Sequence, residues 1–484
     1  MFGIGHPIVG KIWKITSLPY IIASLVSAGA DFRRAIFLGH ERVADGGSYY
    51  VFKTGLIGMN YDLVSKDMMS STQSRGPYFG LSKIGWKPDA EDNDGATIPD
   101  SCMPSNLLLF KSTGTKAHST FRDILVRAIH GLHIETDGAY VMSFPDEFPT
   151  SLLEEEDKNA VNFETYLLQV VGVNILNRMF EFGPSSSWND RVAKIVSEYQ
   201  SVGPVCAVGI PGFAGKAPDV QRMMDELYEI LSENSKIAKK IVKLGDQELE
   251  AGGDDMLRQV IFGSMFAGLG GTYHLTSHTI SRIRSDPDRY IPMYEHDPQS
   301  FILEQARIDP PVTSYSSLTR AVTDLYIWPY GTWCSSACVR ARSARTLVTS
   351  LKYHCITHVF ERTFSIVSIK YYEYYSPLSS NVTNTGTLKA PVGTPQQMTI
   401  ATANRDVGIF GGKSQDRSYA DKFDPTRENL DRILSWNGVE SEVAKHNAPR
   451  GCPGHDLSQA LTKDVVSHVL PMIKRERQMR KTEL

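Results

Sequence analysis

The sequence of 484 residues has no apolar run long enough to cross a bilayer. The stretch from Leu18 to Ala28 is short and is broken by Ser24 and Ser27. No basic start leads into an apolar core with a small-residue cleavage site, so a signal peptide is not expected. There are six cysteines, at 102, 206, 334, 338, 355 and 452. They are too sparse and uneven for a disulfide framework, which points to a reducing compartment. A net charge of -3 gives no reason to expect a nucleic-acid partner. No repeat of fixed period is present. The expectation is a cytoplasmic or peripherally membrane-associated protein with no transmembrane anchor. Phe2, Ile4, Ile8, Val9, Ile12 and Trp13 could rest on a membrane surface, although a packed N-terminal segment is the plainer reading.

Composition is that of a globular protein, 41% hydrophobic and 22% charged. The chain is long for one domain, yet it can bury a core that encloses a cofactor. It is read as a single domain, 1–484. Residues 35–60 read as short strands and turns, and 86–104 as a loop. Helical spacing runs over 116–132, 160–182, 186–201 and 217–245, with Gly203-Pro204 and Gly209-Ile210-Pro211-Gly212 punctuating the last two. The longest helix is expected over 254–284, capped by Asp254 or Asp255 and stopped at Ser285-Asp286-Pro287. A shorter one spans 298–308 and ends at Asp309-Pro310-Pro311. The last third is loop-rich up to Cys452, and 456–480 is helical. The expected class is mainly α with small β-sheets.

Cys452 sits just ahead of that last helix, in Pro449-Arg450-Gly451-Cys452-Pro453-Gly454-His455. A helix start favours a thiolate, because unpaired N–H groups and the positive dipole end lie there. Gly454 lets backbone approach a flat ligand, and Arg450 is placed to pair with an anionic group. Alone, the pattern reads more simply as a buried structural cysteine. Three further features accompany it. Glu304 and Arg307 share a helix face at i and i+3. Phe423-Asp424-Pro425-Thr426-Arg427 adds an arginine upstream of the cysteine, and His118 and Arg122 stand at i and i+4 on one helix.

In this order, these motifs resemble the signature of the cytochrome P450 superfamily over roughly residues 35–475, one insertion apart. The resemblance implies a haem-thiolate fold with non-covalent haem b. Cys452 would be the axial ligand of the iron, beside Gly454. Glu304, Arg307 and Arg427 would lock the haem-binding loop. His118, Arg122 and Arg450 would bind the propionates.

The family loop usually has Phe seven residues and Gly four residues before the cysteine; here Lys445 and Ala448 stand there. The stretch from Trp436 through Glu442 to Asn447 instead resembles the lengthened loop of the allene oxide synthase and hydroperoxide lyase branch. Arg307-Ile308-Asp309-Pro310-Pro311-Val312, Gly209-Ile210-Pro211 and the segment Ile400 to Asp406 are similar to that branch too. The long helix reads Phe266-Ala267-Gly268-Leu269-Gly270-Gly271-Thr272. In oxygen-activating members an acid and an alcohol deliver protons here, but Gly270 and Gly271 occupy those places and only Thr272 follows. Four glycines in residues 263–271 weaken a helix, which close approach of a planar cofactor would explain. A phosphate loop fails for lack of a preceding strand and a Lys.

The loss of that pair fits an enzyme supplied with a ready-made fatty-acid hydroperoxide, a lipophilic small-molecule substrate that needs no reductase. Ala267 stands where that branch carries an Asn, and cannot hydrogen-bond a peroxide. The alternative is an O2-dependent monooxygenase partnered by an NADPH-dependent reductase, with Thr272 relaying protons. A third reading is a non-catalytic haem or lipid-binding relative. Phe266, Leu269 and Val205 to Ile210 are the expected pocket walls. Residues 328–384 hold about 55 more residues than a compact connection needs. Cys334, Cys338, His354, Cys355 and His358 there could be read as a zinc site. Translated noncoding sequence, such as a retained intron, is the plainer reading.

Overall fold

A computed structural model describes residues 49–51, 55–58, 61–71, 74–75, 108–111, 113, 115–127, 142–145, 163–182, 188–207, 216–248, 252–312, 314–318, 323–326, 387–390 and 395–483. The N-terminal segment, the loop Gly209-Ile210-Pro211 and the whole of 328–384, with its candidate zinc ligands, lie outside the described residues.

Helices dominate. In order they are α1 (Tyr61–Met68), α2 (Lys116–Val126), α3 (Phe163–Phe180), α4 (Asp190–Ala207), α5 (Ala217–Asn234), α6 (Lys236–Glu248), α7 (Gly253–Gly263), α8 (Gly270–Ser285), α9 (Pro287–His296) and α10 (Pro298–Ile308). Four short turns follow: α11 (Ile400–Ala403), α12 (Val407–Phe410), α13 (Arg417–Asp421) and α14 (Glu440–Val443). The long α15 (His455–Glu483) comes last. A five-stranded sheet, β1-β2-β7-β4-β3, takes Tyr49–Val51, Gly55–Gly58, Pro395–Thr399, Ser314–Leu318 and Ser74–Arg75. Its β2–β7 pair is parallel and the others are antiparallel. Two-stranded sheets pair β5 (Thr323–Tyr326) with β6 (Thr387–Ala390), and β8 (Leu434–Ser435) with β9 (Gly438–Val439).

The core is centred on α3, which is apolar nearly all round and buried accordingly. Gly172 makes a notch in it. A Cβ there would lie 2.4 Å from Val196 and 3.2 Å from Leu269, so α4 and the long helix press in together. Opposite, α8 packs on α15 through Thr276 and Thr462, whose hydroxyls are 2.9 Å apart. Tyr290, Tyr294, Phe301 and Phe423 interlock edge to face and join α9 and α10 to the segment after α13.

Several sequence expectations change. The single helix foreseen over 217–245 is two, because Ser235 is extended (φ -106°, ψ 124°). Its hydroxyl donates to the Phe180 carbonyl and accepts from the Ala238 amide at 3.0 Å, closing α5 and opening α6. Neither Asp254 nor Asp255 caps α7. The cap residue is Gly252 at φ 86°, and Asp246 takes the Gly253 amide at 2.6 Å. The stop expected at Ser285-Asp286-Pro287 holds, since α8 ends at Ser285, and Pro287 then starts α9 from its first turn, where proline is favoured. Gly203-Pro204 does not end α4, which runs on to Ala207. Cys206 is disulfide-bonded, against the expectation of reduced thiols.

Candidate active site

The site has two halves, and α2 touches both. The first is the loop that carries Cys452. Trp436 and Asn437 both have positive φ (49° and 61°) between β8 and β9, as a two-residue hairpin of the mirror-image type requires. This turn aims the Trp436 carbonyl at the Cys452 amide, 2.7 Å away. The Trp436 indole N–H donates to Ser458 at 2.8 Å, and its ring meets His455 edge-on at 5.0 Å. Beneath the loop, His455 Nε2 lies 2.8 Å from Glu440 Oε1 and 2.6 Å from Gln459 Nε2, with all three residues buried. Gly451 and His455 are buried, while Cys452, Pro453 and Gly454 between them keep exposed surface.

The Cys452 thiol is free. Burial pushes its pKa up, against the Gly454 amide and the charge of Arg122, which pull it down. A Cβ on Gly454 would lie 3.7 Å from the sulfur, so glycine leaves that flank of the thiol open.

The loop is braced from behind by the expected triad. Arg307 grips Glu304 with two bonds, Nε to Oε2 at 2.6 Å and one terminal nitrogen to Oε1 at 2.8 Å. Its remaining donors go to the carbonyls of Asn404, Ala420 and Lys422. Arg427 donates to Glu304 at 3.1 Å and to the carbonyls of Phe410, Tyr419 and Lys422. Five carbonyl oxygens therefore offset the excess positive charge of two buried arginines facing one carboxylate.

The second half is the long helix. Between α7 and α8, residues Ser264–Leu269 form a π-helical turn, a feature common at functional sites. The helix is buried from Gln259 to Met265, then opens: Ala267 is exposed, and Phe266, Gly268, Gly270 and Gly271 are half-exposed. A Cβ on Gly271 would meet no atom within 4 Å. Thr272 is buried, one helical turn after Gly268 and one before Thr276, whose hydroxyl bonds α15. Leu269 does not wall the opening, since it packs into the Gly172 notch. Phe266 stacks on Phe262 at 5.3 Å. The Val205 side chain and residues 208–210 lie outside the described set.

Helix α2 links the halves. Phe121 lies 3.8 Å from where a Cβ of Gly263 would stand on α7. Its neighbour Arg122 donates to the Gly451 carbonyl at 2.6 Å and to that of Ala448 at 3.5 Å. Burial lowers the Arg122 pKa, opposed by Cys452, so its cation is poorly solvated and suited to an anion. His118 is buried one turn earlier, in a helix capped by Thr115, which accepts from the His118 amide at 3.3 Å. Arg450 lies on the cysteine loop and is buried. Its terminal nitrogens donate to the Lys111 and Leu109 carbonyls and to the Thr113 hydroxyl, tying the cysteine loop to the strand of chain before α2.

Sequence reasoning missed Phe121, Trp436 as an amide acceptor, and the Glu440–His455–Gln459 group. Only the Trp436-Asn437-Gly438 turn signal pointed toward them.

A mainly helical unit with a cysteine loop braced by a Glu–Arg–Arg cluster, beside a long interrupted helix, defines the class. No protein-family model matches the chain, and no curated protein matches it. Solved structures do. An intact type IV self-sufficient cytochrome P450 monooxygenase matches with TM-score 0.53 and 12% identity, over 90% of this chain and 46% of that longer one. P450 EryK bound to erythromycin B matches with TM-score 0.52 and 13% identity, over 90% and 88%. Mycobacterium smegmatis CYP164A2, ligand-free, matches with TM-score 0.51 and 14% identity, over 92% and 90%. The chain has the cytochrome P450 fold.

Proposed function

We propose that this chain is a haem-thiolate oxidoreductase of cytochrome P450 type, taking a lipophilic, fatty-acid-derived substrate and rearranging its hydroperoxide without a reductase. The residues fit haem b. A free cysteine stands on a partly exposed strip, and bare glycine backbone faces open space on the long helix. Arg122, poorly solvated near Cys452, is a natural partner for a propionate. Bound here, haem would supply an iron centre able to cleave an O–O bond.

In this reading Cys452 would hold the iron through its thiolate. Because burial favours its protonated form, binding metal must displace the proton. Arg122, His118 and Arg450 would hold the propionates. Glu304, Arg307 and Arg427 fix the loop, and Arg450 also ties it to the Leu109–Thr113 segment. The observation that carries the peroxide route is the opening at Ala267, Gly270 and Gly271. These three positions offer neither acid nor hydroxyl. A substrate that brings its own activated oxygen needs no protons from this strip. Among the described residues, no helix is long and apolar enough to cross a membrane.

The test is turnover of a polyunsaturated fatty-acid hydroperoxide by haem-loaded protein, with no reductase and no NADPH. Loss of the conjugated-diene absorbance that vanishes in Cys452→Ser supports the peroxide route. A stable diene, with oxidation of a fatty acid once NADPH and a reductase are added, would replace it with the monooxygenase reading.

A further inference from the structure

Two histidines lie one turn apart on α8, just beyond the opening at Gly270 and Gly271. His274 and His278 stand at i and i+4, so they share a helix face. Their ring centroids are 5.9 Å apart and their planes are inclined by 45°. The His278 side chain is 25% exposed, which leaves it within reach of a solvated ion. His274 is half-buried. A third side chain holds the second ring. His278 Nδ1 lies 2.6 Å from Oδ2 of Asp309, the residue that caps the end of α10. An ionised carboxylate only accepts, so Nδ1 carries the proton, and the lone pair of the neutral ring stands at Nε2.

A metal-binding imidazole is held in this way. Two histidines at i and i+4 on one helix face can chelate a single ion. A ligating ring donates its other N–H to a carboxylate, which fixes the tautomer and raises the basicity of the ligating nitrogen. Imidazole ligands suit late first-row ions such as zinc and copper. Among the described residues, no group of three or more histidine, cysteine or carboxylate side chains could enclose a metal, so the remaining positions on the ion fall to water. We propose that His274 and His278 chelate an exchangeable divalent ion of the zinc class, with Asp309 as the carboxylate that orients His278. The bound ion clamps the second and third turns of α8, next to the Gly270–Gly271 opening. Through Asp309 it joins them to the end of α10, two residues past Arg307. The site does not depend on the haem reading.

The experiment titrates zinc chloride into the full-length, haem-loaded chain by isothermal titration calorimetry. His274→Ala and His278→Ala should each abolish one zinc-binding event that the wild type shows. Asp309→Ala, which removes the orienting carboxylate, should weaken that event by about 10–100-fold. Asp309→Asn, which keeps an acceptor for the Nδ1 proton, should recover part of the loss. His278→Ala also breaks the pair with Asp309. Should it fail to fold, His274→Ala decides, read by paramagnetic resonance of bound copper(II): two nitrogen ligands in the wild type and one in the variant. Cys334, Cys338, His354, Cys355 and His358 are untouched in every variant. A zinc event that persists unchanged without either histidine therefore belongs elsewhere in the chain and overturns the proposal. Full affinity in His274→Ala overturns it too, as does the absence of any zinc event in the wild type.

Discussion

Arg427 donates to Glu304 at 3.1 Å across 123 positions of sequence, and neither side chain is more than 1% exposed. Glu304 also holds Arg307 and accepts the Asp424 amide at 2.8 Å. One carboxylate thus ties α10 to the segment that leads to the cysteine loop. Glu304→Ala leaves two buried guanidiniums without a counter-charge. It should cost about 3–5 kcal/mol of folding stability, read from the urea midpoint. A midpoint within experimental error of wild type would show that the five carbonyls alone hold the arginines.

Two glycines should respond oppositely to the same substitution. Gly271 lies in α8 with nothing near its missing Cβ, so Gly271→Ala should gain up to about 1 kcal/mol of helix stability. At Gly172 a Cβ would press on Val196 at 2.4 Å. Gly172→Ala should therefore cost about 1–3 kcal/mol through overpacking. Thermal unfolding of both variants checks this. Equal shifts would mean that the space beside Gly271 closes in solution.

What could be read from the sequence was local. Helix α10 was bounded to the residue because Asp297-Pro298 starts it and Asp309-Pro310 stops it, each acting within one turn. The triad was legible because its residue types and order are specific, although its carbonyl partners at Asn404, Phe410, Tyr419, Ala420 and Lys422 are not encoded by any side chain. The cysteine loop was found, but not how the Trp436 turn holds it.

Misreadings came where tertiary contacts outweigh local signals. Asp254 and Asp255 look like caps, but Gly253 must stay bare because a Cβ would sit 2.0 Å from the Val242 carbonyl, and Asp246 reaches across to bond its amide. Ser235 breaks a helical pattern because the Phe180 carbonyl, 55 positions away, claims its hydroxyl.

A pH effect follows from the cap of α10. The Asp297 side chain accepts from the Ser300 amide at 3.0 Å, and bonds to the Ser300 side chain and then its amide hold the carboxyl below its ordinary pKa. A depressed folded-state pKa contributes stability above the unfolded value, near 4, and loses it as pH falls through the folded value. Asp297→Ala should cost about 1 kcal/mol at pH 7. Asp297→Asn, which keeps an acceptor, should cost less, and its difference from wild type should shrink as pH drops from 5 toward 3. Urea titrations across that range test it, and a difference that grows on acidification would contradict the assignment.

The assignment of Cys452 as ligand makes the sharpest demand. Its sulfur is buried by the loop yet left open on the Gly454 flank, and Arg122 is the cation that lowers its pKa. Serine in its place keeps the size and the hairpin contacts, which use the backbone amide of residue 452 and not its side chain. A hydroxyl lacks the polarizable thiolate character that soft metal ligation draws on. Cys452→Ser should therefore fold with an unchanged urea midpoint, within about 1 kcal/mol. It should lose the red-shifted Soret band of the reduced carbon monoxide complex. Arg122→Gln should keep that band but retain haem less well, by about tenfold in dissociation rate, because a propionate loses its charge-assisted partner. A red-shifted band in the serine variant would place the ligand elsewhere. Unchanged haem retention in the glutamine variant would confine Arg122 to the carbonyls of Gly451 and Ala448.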